Sequence, residues 1–188
     1  MLFKYTDSVP PLPTELEKLC LQQIYQGQLL YENPERCLID GNRKISNILY
    51  QSWSMPSDVE TWIRKNVTDE YTNIGLQVQN ASKRPGDHLP HTDWADRRSV
   101  INWLIDTGGE NVITSFYQED GETLQRAPET RVNDASRLKI IESHQIQTHN
   151  WAWLDTSVIH GVTGITGCRI SISIGFNHHD PKFRQLSV

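Results

Sequence analysis

The 188-residue sequence contains no long apolar segment and no surplus of positive charge. Without a run of about eighteen apolar residues, it offers no candidate for a membrane-spanning helix. Its 18 Lys and Arg are outnumbered by 23 Asp and Glu, and a net charge of -5 repels a phosphate backbone, which argues against nucleic acid as a partner. The first residues lack the basic and apolar regions of a secretory signal, so the expected location is cytoplasmic.

Cysteine is scarce as well. Cys20, Cys37 and Cys168 are odd in number and far apart, with no C-x-x-C pair, which supports neither a disulfide framework nor a thiolate zinc site. Glycine and proline, at 11 and 9 residues, are too few for a collagen-like or low-complexity chain. A chain of this length is expected to form one domain, residues 1–188, with a buried core.

Helical patterns are confined to the first part of the chain. A capping-box spacing at Thr14, followed by apolar residues at helical intervals, predicts a helix over 14–27. The same spacing at Ser57, with an apolar stripe after it, predicts a second helix over 57–67. The N-terminal part, about 1–70, is therefore expected to be helical.

From about residue 74 onward, short apolar or alternating runs separated by turn residues are typical of antiparallel sheet. The clearest predicted strands are 74–78, 99–105, 112–117, 151–154 and 168–176. Seven or eight such strands behind two helices indicate a mainly β fold, either a sandwich or a barrel, with the helices packed on one face. The charged segment 122–136 is expected to be an exposed loop.

Three residues are candidate metal ligands. His91 and Asp93 face the same side of an extended segment, because residues i and i+2 of a strand share a face. His160 can complete the group if its strand lies beside theirs. Two histidines and one carboxylate, with open positions opposite, form the facial triad of non-haem Fe(II) oxygenases. The H-x-D spacing alone is weak, since it also occurs by chance.

A strict alternation follows His160. Arg169, Ser171 and Ser173 share one face of the predicted strand, and isoleucines occupy the other. A surface strand with its polar face in water explains this pattern. However, an arginine and a serine on one face can also bind a carboxylate, the guanidinium with two parallel hydrogen bonds and the hydroxyl beside it. Close to a candidate metal ligand, this pair suits a dicarboxylic co-substrate.

Taken together, five of these residues form a pattern that resembles the motif of the Fe(II)- and 2-oxoglutarate-dependent oxygenases. They are His91, Asp93, His160, Arg169 and Ser171. The resemblance extends over about 74–177 and implies a double-stranded β-helix, the cupin-like jelly roll, for this core. It implies Fe(II) held by the two histidines and the aspartate, 2-oxoglutarate held by the arginine and the serine, and O2 as oxidant.

Two branches of this family are similar to the segment around His91. The stretch 76–93 looks like the entry to the metal site in prolyl 4-hydroxylase-like members. The stretch 85–92, followed by Arg98, looks more like the aspartyl/asparaginyl β-hydroxylase-like branch. That second resemblance implies that Arg98 and Ser82 lie near the co-substrate.

The activity implied by the resemblance is hydroxylation of a small molecule or a peptide side chain, with release of succinate and CO2. Two alternatives remain open. The same three ligands fit a zinc hydrolase, although such an enzyme has no general need for the carboxylate-binding pair Arg169 and Ser171. A cupin-like binding module would hold a metal without turning over 2-oxoglutarate. A small molecule and a short peptide fit equally well as the substrate.

Overall fold

The protein is described by a computed structural model that covers residues 1–39, 42–81, 86–93, 97–120, 131–132 and 134–179. Its helices are α1 (Thr14–Gln26) and α2 (Ser57–Asn66), with a short 3-10 helix at Ala135–Arg137. The strands are β1 (Phe3–Tyr5), β2 (Leu29–Ile39), β3 (Asn42–Trp53), β4 (Asn73–Asn80), β5 (Gly86–His91), β6 (Ser99–Thr107), β7 (Ile113–Glu119), β8 (Arg131–Val132), β9 (Leu138–His144), β10 (Trp151–Leu154), β11 (His160–Ile165) and β12 (Cys168–Phe176).

The strands form two sheets. The larger has eight strands in the order β1-β10-β6-β12-β4-β3-β2-β8, and the smaller has four in the order β5-β11-β7-β9. Along the chain, β4 to β7 and then β9 to β12 alternate between the two sheets, and within each sheet these strands pair antiparallel. This is the topology of a double-stranded β-helix, so the expected fold class is confirmed.

The five strands predicted from alternation are confirmed, with ends that differ by at most two residues. The prediction that the region before residue 70 is helical is wrong in part, because β2 and β3 form a hairpin that extends the large sheet beside β4. Leu30, Tyr31 and Ile45 of this hairpin are 58%, 51% and 61% exposed. Since these apolar residues are not buried, the hairpin lacks the alternation that identifies the other strands.

Both predicted helices are present, but neither has the predicted cap. The N-cap positions are Pro13 and Pro56, and no side chain caps either helix. Each proline has an extended ψ and its carbonyl accepts the first hydrogen bonds of the helix, so Thr14 and Ser57 already lie in the first turn. In the described part of the chain, no helix has the length and apolar character needed to cross a bilayer.

The main apolar core lies between the large sheet and the helices. Ile172 and Ile174 of β12 pack in one buried cluster with Val59 and Ile63 of α2 and Cys20 of α1. The helices therefore cover one outer face of the barrel, as expected. Because successive residues of a strand point to opposite sides, the polar residues of β12 are turned toward the small sheet.

Replacing Ile172 by alanine tests this core. Ile172 is 0% exposed, and the loss of its side chain leaves a cavity between β12 and the helices. We expect the free energy of unfolding to fall by about 2–5 kcal/mol, measured by urea denaturation. The matched variant Ile140→Ala, at a position that is 61% exposed, should change it by less than about 0.5 kcal/mol. Equal effects would contradict this assignment of the core.

Candidate metal centre

Strand pairing brings the two candidate histidines together. His91 is the last residue of β5 and His160 is the first of β11, and the two are direct partners in the antiparallel ladder. Asp93 follows shortly after β5, where its backbone N–H donates to the carbonyl of Thr156 at 2.9 Å. Residues that are far apart in the sequence therefore meet at one end of the small sheet.

The three side chains form a compact group. Oδ1 of Asp93 lies 3.5 Å from Nε2 of His91 and 3.9 Å from Nε2 of His160. One ligand atom from each residue lies within 4.8 Å of the other two, and both histidines are buried. The predicted triad is thus assembled with its ligand atoms converging, which is the arrangement that a metal ion requires.

Backbone carbonyls fix the two imidazoles. Nδ1 of His91 lies 2.7 Å from the carbonyl of Leu89, and Nδ1 of His160 lies 2.9 Å from the carbonyl of Val158. A carbonyl only accepts hydrogen bonds, so each Nδ1 carries the proton and each Nε2 has its lone pair directed to Asp93. Ligand histidines in metalloproteins are commonly oriented in this way.

The protonation states also fit a divalent cation. Burial, together with the neighbouring His91, lowers the pKa of His160 to about 3, so its imidazole is neutral at pH 7. Burial, the largest single influence, raises the pKa of Asp93, but the Arg97 guanidinium together with His91 and His160 outweighs it and holds this pKa well below its usual range. The centre therefore contains a carboxylate and a neutral imidazole, which suit Fe(II) as well as Zn(II).

Arg97 is the residue of this centre that sequence reasoning missed. Its Nε lies 3.4 Å from Oδ2 of Asp93, and its Nη2 donates to Oγ of Ser173. The neighbouring Arg98, to which the resemblance assigned a role, has an exposed side chain that forms no hydrogen bond or ion pair with a described residue. Ser82, the other residue placed near the co-substrate, lies outside the described residues.

Arg169 is a buried cation without an anion. It is 8% exposed, and burial lowers its pKa to about 10. Within the described ranges, its guanidinium has no carboxylate or other hydrogen-bond acceptor. Ser171, on the same face of β12, is partly buried. An unpaired buried charge is unfavourable in a folded protein, so this position is suited to an anionic ligand that supplies the missing partner.

The polar face of β12 connects Arg169 with the metal ligands. Ser173 lies four residues after Arg169 on the same face and is bound by Arg97, which in turn contacts Asp93. Four residues of a strand span about 13 Å. A ligand that reaches both Arg169 and the His–Asp–His group would therefore lie along this face, between the two sheets.

Gly161 allows the two histidine-bearing strands to approach closely. A Cβ at this position would lie 2.9 Å from the carbonyl oxygen of His88 and 3.3 Å from the amide nitrogen of Pro90. Both contacts are with the backbone of β5, so a side chain would push β5 away from β11. The glycine is thus needed for the pairing of His91 with His160.

Gly161→Ala should consequently weaken metal binding by about tenfold and lower the free energy of unfolding by about 1–3 kcal/mol, since the added methyl forces a backbone shift beside two ligands. Titration with Co(II) and urea denaturation measure the two effects. Gly75→Ala is the control, because a Cβ there meets its first neighbour at an ordinary 3.6 Å. Unchanged Co(II) affinity in Gly161→Ala would contradict the inferred close approach.

Comparisons with known proteins support the fold. The sequence matches no family model, and no curated protein is significantly similar to it. Among solved structures, the chain is similar to the non-haem alpha-ketoglutarate-dependent carbocyclase SnoK from nogalamycin biosynthesis, with a TM-score of 0.61, 9% identity, and coverage of 97% of this chain and 82% of that one. It is also similar to the epimerase SnoN from the same biosynthesis, with a TM-score of 0.52, 9% identity and coverage of 92% and 76%. At this identity, the likeness shows the fold alone.

Proposed function

We propose that the protein is a non-haem Fe(II)- and 2-oxoglutarate-dependent dioxygenase that hydroxylates a small molecule or a peptide side chain. The observation that carries the proposal is the pair formed by a converging His–Asp–His group and a buried arginine without an anion, on facing sheets of one barrel. A facial triad with a separate carboxylate-binding cation is the minimum that such an enzyme needs.

The chain's own residues supply binding and orientation. His91, Asp93 and His160 would hold Fe(II), since two histidines and one carboxylate are the ligand set of non-haem Fe(II) oxygenases. Arg169 binds the distal carboxylate of 2-oxoglutarate with two parallel hydrogen bonds, and Ser171 donates a further one. These contacts direct the keto acid end of the co-substrate toward the metal.

Bound Fe(II) supplies the oxidative chemistry, in which O2, 2-oxoglutarate and a C–H bond give succinate, CO2 and the hydroxylated product. The protein contributes proximity and a site between two sheets in which the co-substrate is shielded from water. The names of SnoK and SnoN, two alpha-ketoglutarate-dependent proteins with this fold, support the proposal by analogy. The substrate of this chain is a small molecule or a short peptide segment.

An anaerobic titration tests the proposal. Purified protein receives Fe(II) and then 2-oxoglutarate, and we expect a visible metal-to-ligand charge-transfer band that is absent when 2-oxoglutarate is omitted. Admission of O2 should then produce succinate, slowly in the absence of substrate.

The outcomes separate the three readings of the sequence. A band followed by succinate supports the dioxygenase. Metal binding without a band or succinate overturns it and favours the cupin-like binding module. Hydrolysis of ester or amide substrates by the Zn(II)-loaded protein, again without succinate, favours the zinc hydrolase.

A further inference from the structure

Arg97 links the proposed metal ligand to the wall of the barrel. Its guanidinium lies between Oδ2 of Asp93, 3.4 Å from Nε, and Oγ of Ser173, which accepts from Nη2. Its backbone carbonyl accepts a hydrogen bond from Oγ1 of Thr156 at 2.8 Å, and the carbonyl of the same Thr156 accepts from the backbone N–H of Asp93 at 2.9 Å. Main chain and side chain thus tie Arg97 to the segment that carries Asp93 and to the loop before His160.

Packing against β12 also limits the position of the Arg97 side chain. Its stem crosses Gly175 of β12, where a Cβ would lie 3.0 Å from Cγ of Arg97. Ser173, which anchors the far end of the guanidinium, is itself 1% exposed. Packed on one side and hydrogen-bonded at its tip, the guanidinium has little freedom to leave Asp93.

The two oxygens of Asp93 consequently have different partners. Oδ1 is directed at the imidazoles of His91 and His160, whereas Oδ2 is directed at Arg97. An aspartate carboxyl group rotates easily, since its terminal torsion has only broad minima. A fixed cation 3.4 Å from one oxygen restricts this rotation and leaves the other oxygen for the histidine side.

We propose that Arg97 is a positioning residue for the metal site: its guanidinium, anchored on Ser173, holds Oδ2 of Asp93 and so directs Oδ1 to the position between the two imidazoles. The inference rests on the metal-binding step of the proposed function and on no later step. Outer partners of this kind contribute about 10–100-fold to metal affinity in other proteins.

A purely electrostatic role for Arg97 makes a different prediction. If the residue only balanced the charge of Asp93, a lysine would replace it without loss. A lysine ammonium is a point charge, however, and does not hold two acceptors in the fixed planes of a guanidinium. Arg97→Lys therefore separates positioning from charge.

Co(II) is the probe, because it binds without turnover and its visible absorption reports on the ligand arrangement. We expect Arg97→Gln and Arg97→Lys to bind Co(II) about 10–100-fold more weakly than the natural sequence, with altered visible bands. Arg98→Gln, which removes the exposed neighbouring arginine, should match the natural sequence in both readouts. Thermal unfolding of the metal-free variants identifies any loss that comes from misfolding.

Ser173→Ala provides a second, independent test. It leaves Arg97 in place but removes its anchor, so Co(II) affinity should fall by less than in Arg97→Gln. In the double variant Arg97→Gln/Ser173→Ala, Co(II) affinity should be no lower than in Arg97→Gln alone, because Ser173 has no guanidinium left to anchor.

The results are decisive in either direction. Natural Co(II) affinity and absorption in Arg97→Gln, full rescue by lysine, or additive effects of Arg97→Gln and Ser173→Ala would each overturn the inference. Failure of the natural sequence to bind Co(II) would overturn both this inference and the proposed function. Normal Co(II) binding without succinate formation would overturn the proposed function alone.

Discussion

Replacement of Arg169 by methionine should abolish the affinity for 2-oxoglutarate while leaving metal binding intact. The buried guanidinium has no other anion among the described residues, so it is available to the distal carboxylate. Loss of one partner of a buried, hydrogen-bonded charge pair costs about 3 kcal/mol or more, which corresponds to a dissociation constant raised at least about 100-fold. Calorimetric titration of the Co(II)-loaded protein with 2-oxoglutarate measures this change directly.

The same variant should unfold at a higher temperature in the absence of ligand. Burial lowers the pKa of Arg169 to about 10, so the folded state carries a charge that it solvates poorly, and methionine removes this penalty. Arg169→Lys is the conservative comparison. It keeps the charge but not the paired donors, and we expect an intermediate 2-oxoglutarate affinity. If Arg169→Met lost Co(II) and 2-oxoglutarate binding to the same degree, misfolding would be the explanation and the proposed role would fail.

Replacement of Asp93 by alanine should abolish tight metal binding. Asp93 contributes the carboxylate of the converging group, and the low pKa that Arg97, His91 and His160 together impose keeps it ionised at neutral pH. Without it, two imidazoles remain, and Arg97 adds an unbalanced positive charge beside them. We expect Co(II) affinity to fall by at least about 100-fold, measured by competition with a chelating dye.

His160→Ala should have a comparable effect, since it removes another member of the same group. His149→Ala is the matched control, because His149 is an exposed histidine whose ring contacts Glu17 of α1 and Trp103, neither of which belongs to the candidate metal centre. Unchanged Co(II) affinity in Asp93→Ala would contradict the assignment of the metal centre. Loss of Co(II) affinity in His149→Ala would also contradict it.

The fold was predictable where strands bury one face. β12 alternates in sequence because Ile170, Ile172 and Ile174 pack toward the helices while the residues between them face the other way. The hairpin of β2 and β3 was missed because Leu30, Tyr31 and Ile45, among its described residues, are exposed and do not form a buried alternating face. The helix caps were missed because the prolines before Thr14 and Ser57 occupy the cap positions themselves.

The candidate site was predictable in its residue types but not in all of its members. H-x-D followed by a distant histidine identified a group that β5 and β11 do bring together. Sequence reasoning gave Arg97, which contacts Asp93, no role, whereas the placement of Arg98 near the co-substrate stays a prediction. Neither arginine lies in a regular strand, so alternation gives no information about which of them turns toward the centre.

The alternation of β12 also does not show whether its polar side chains face water or the interior of the barrel. The structure resolves this through the helices, which cover the isoleucine side and leave Arg169 and Ser173 buried. No property of the strand's own sequence distinguishes these two possibilities. The decision depends on the packing of α1 and α2, which are distant along the chain.

The location of the main apolar core outside the barrel has a consequence for how substitutions inside it are tolerated. Because the cluster between the large sheet and the helices supplies much of the apolar packing, residues on the polar face of β12 contribute little to that packing. Mutations there can change ligand preference at a modest cost in stability.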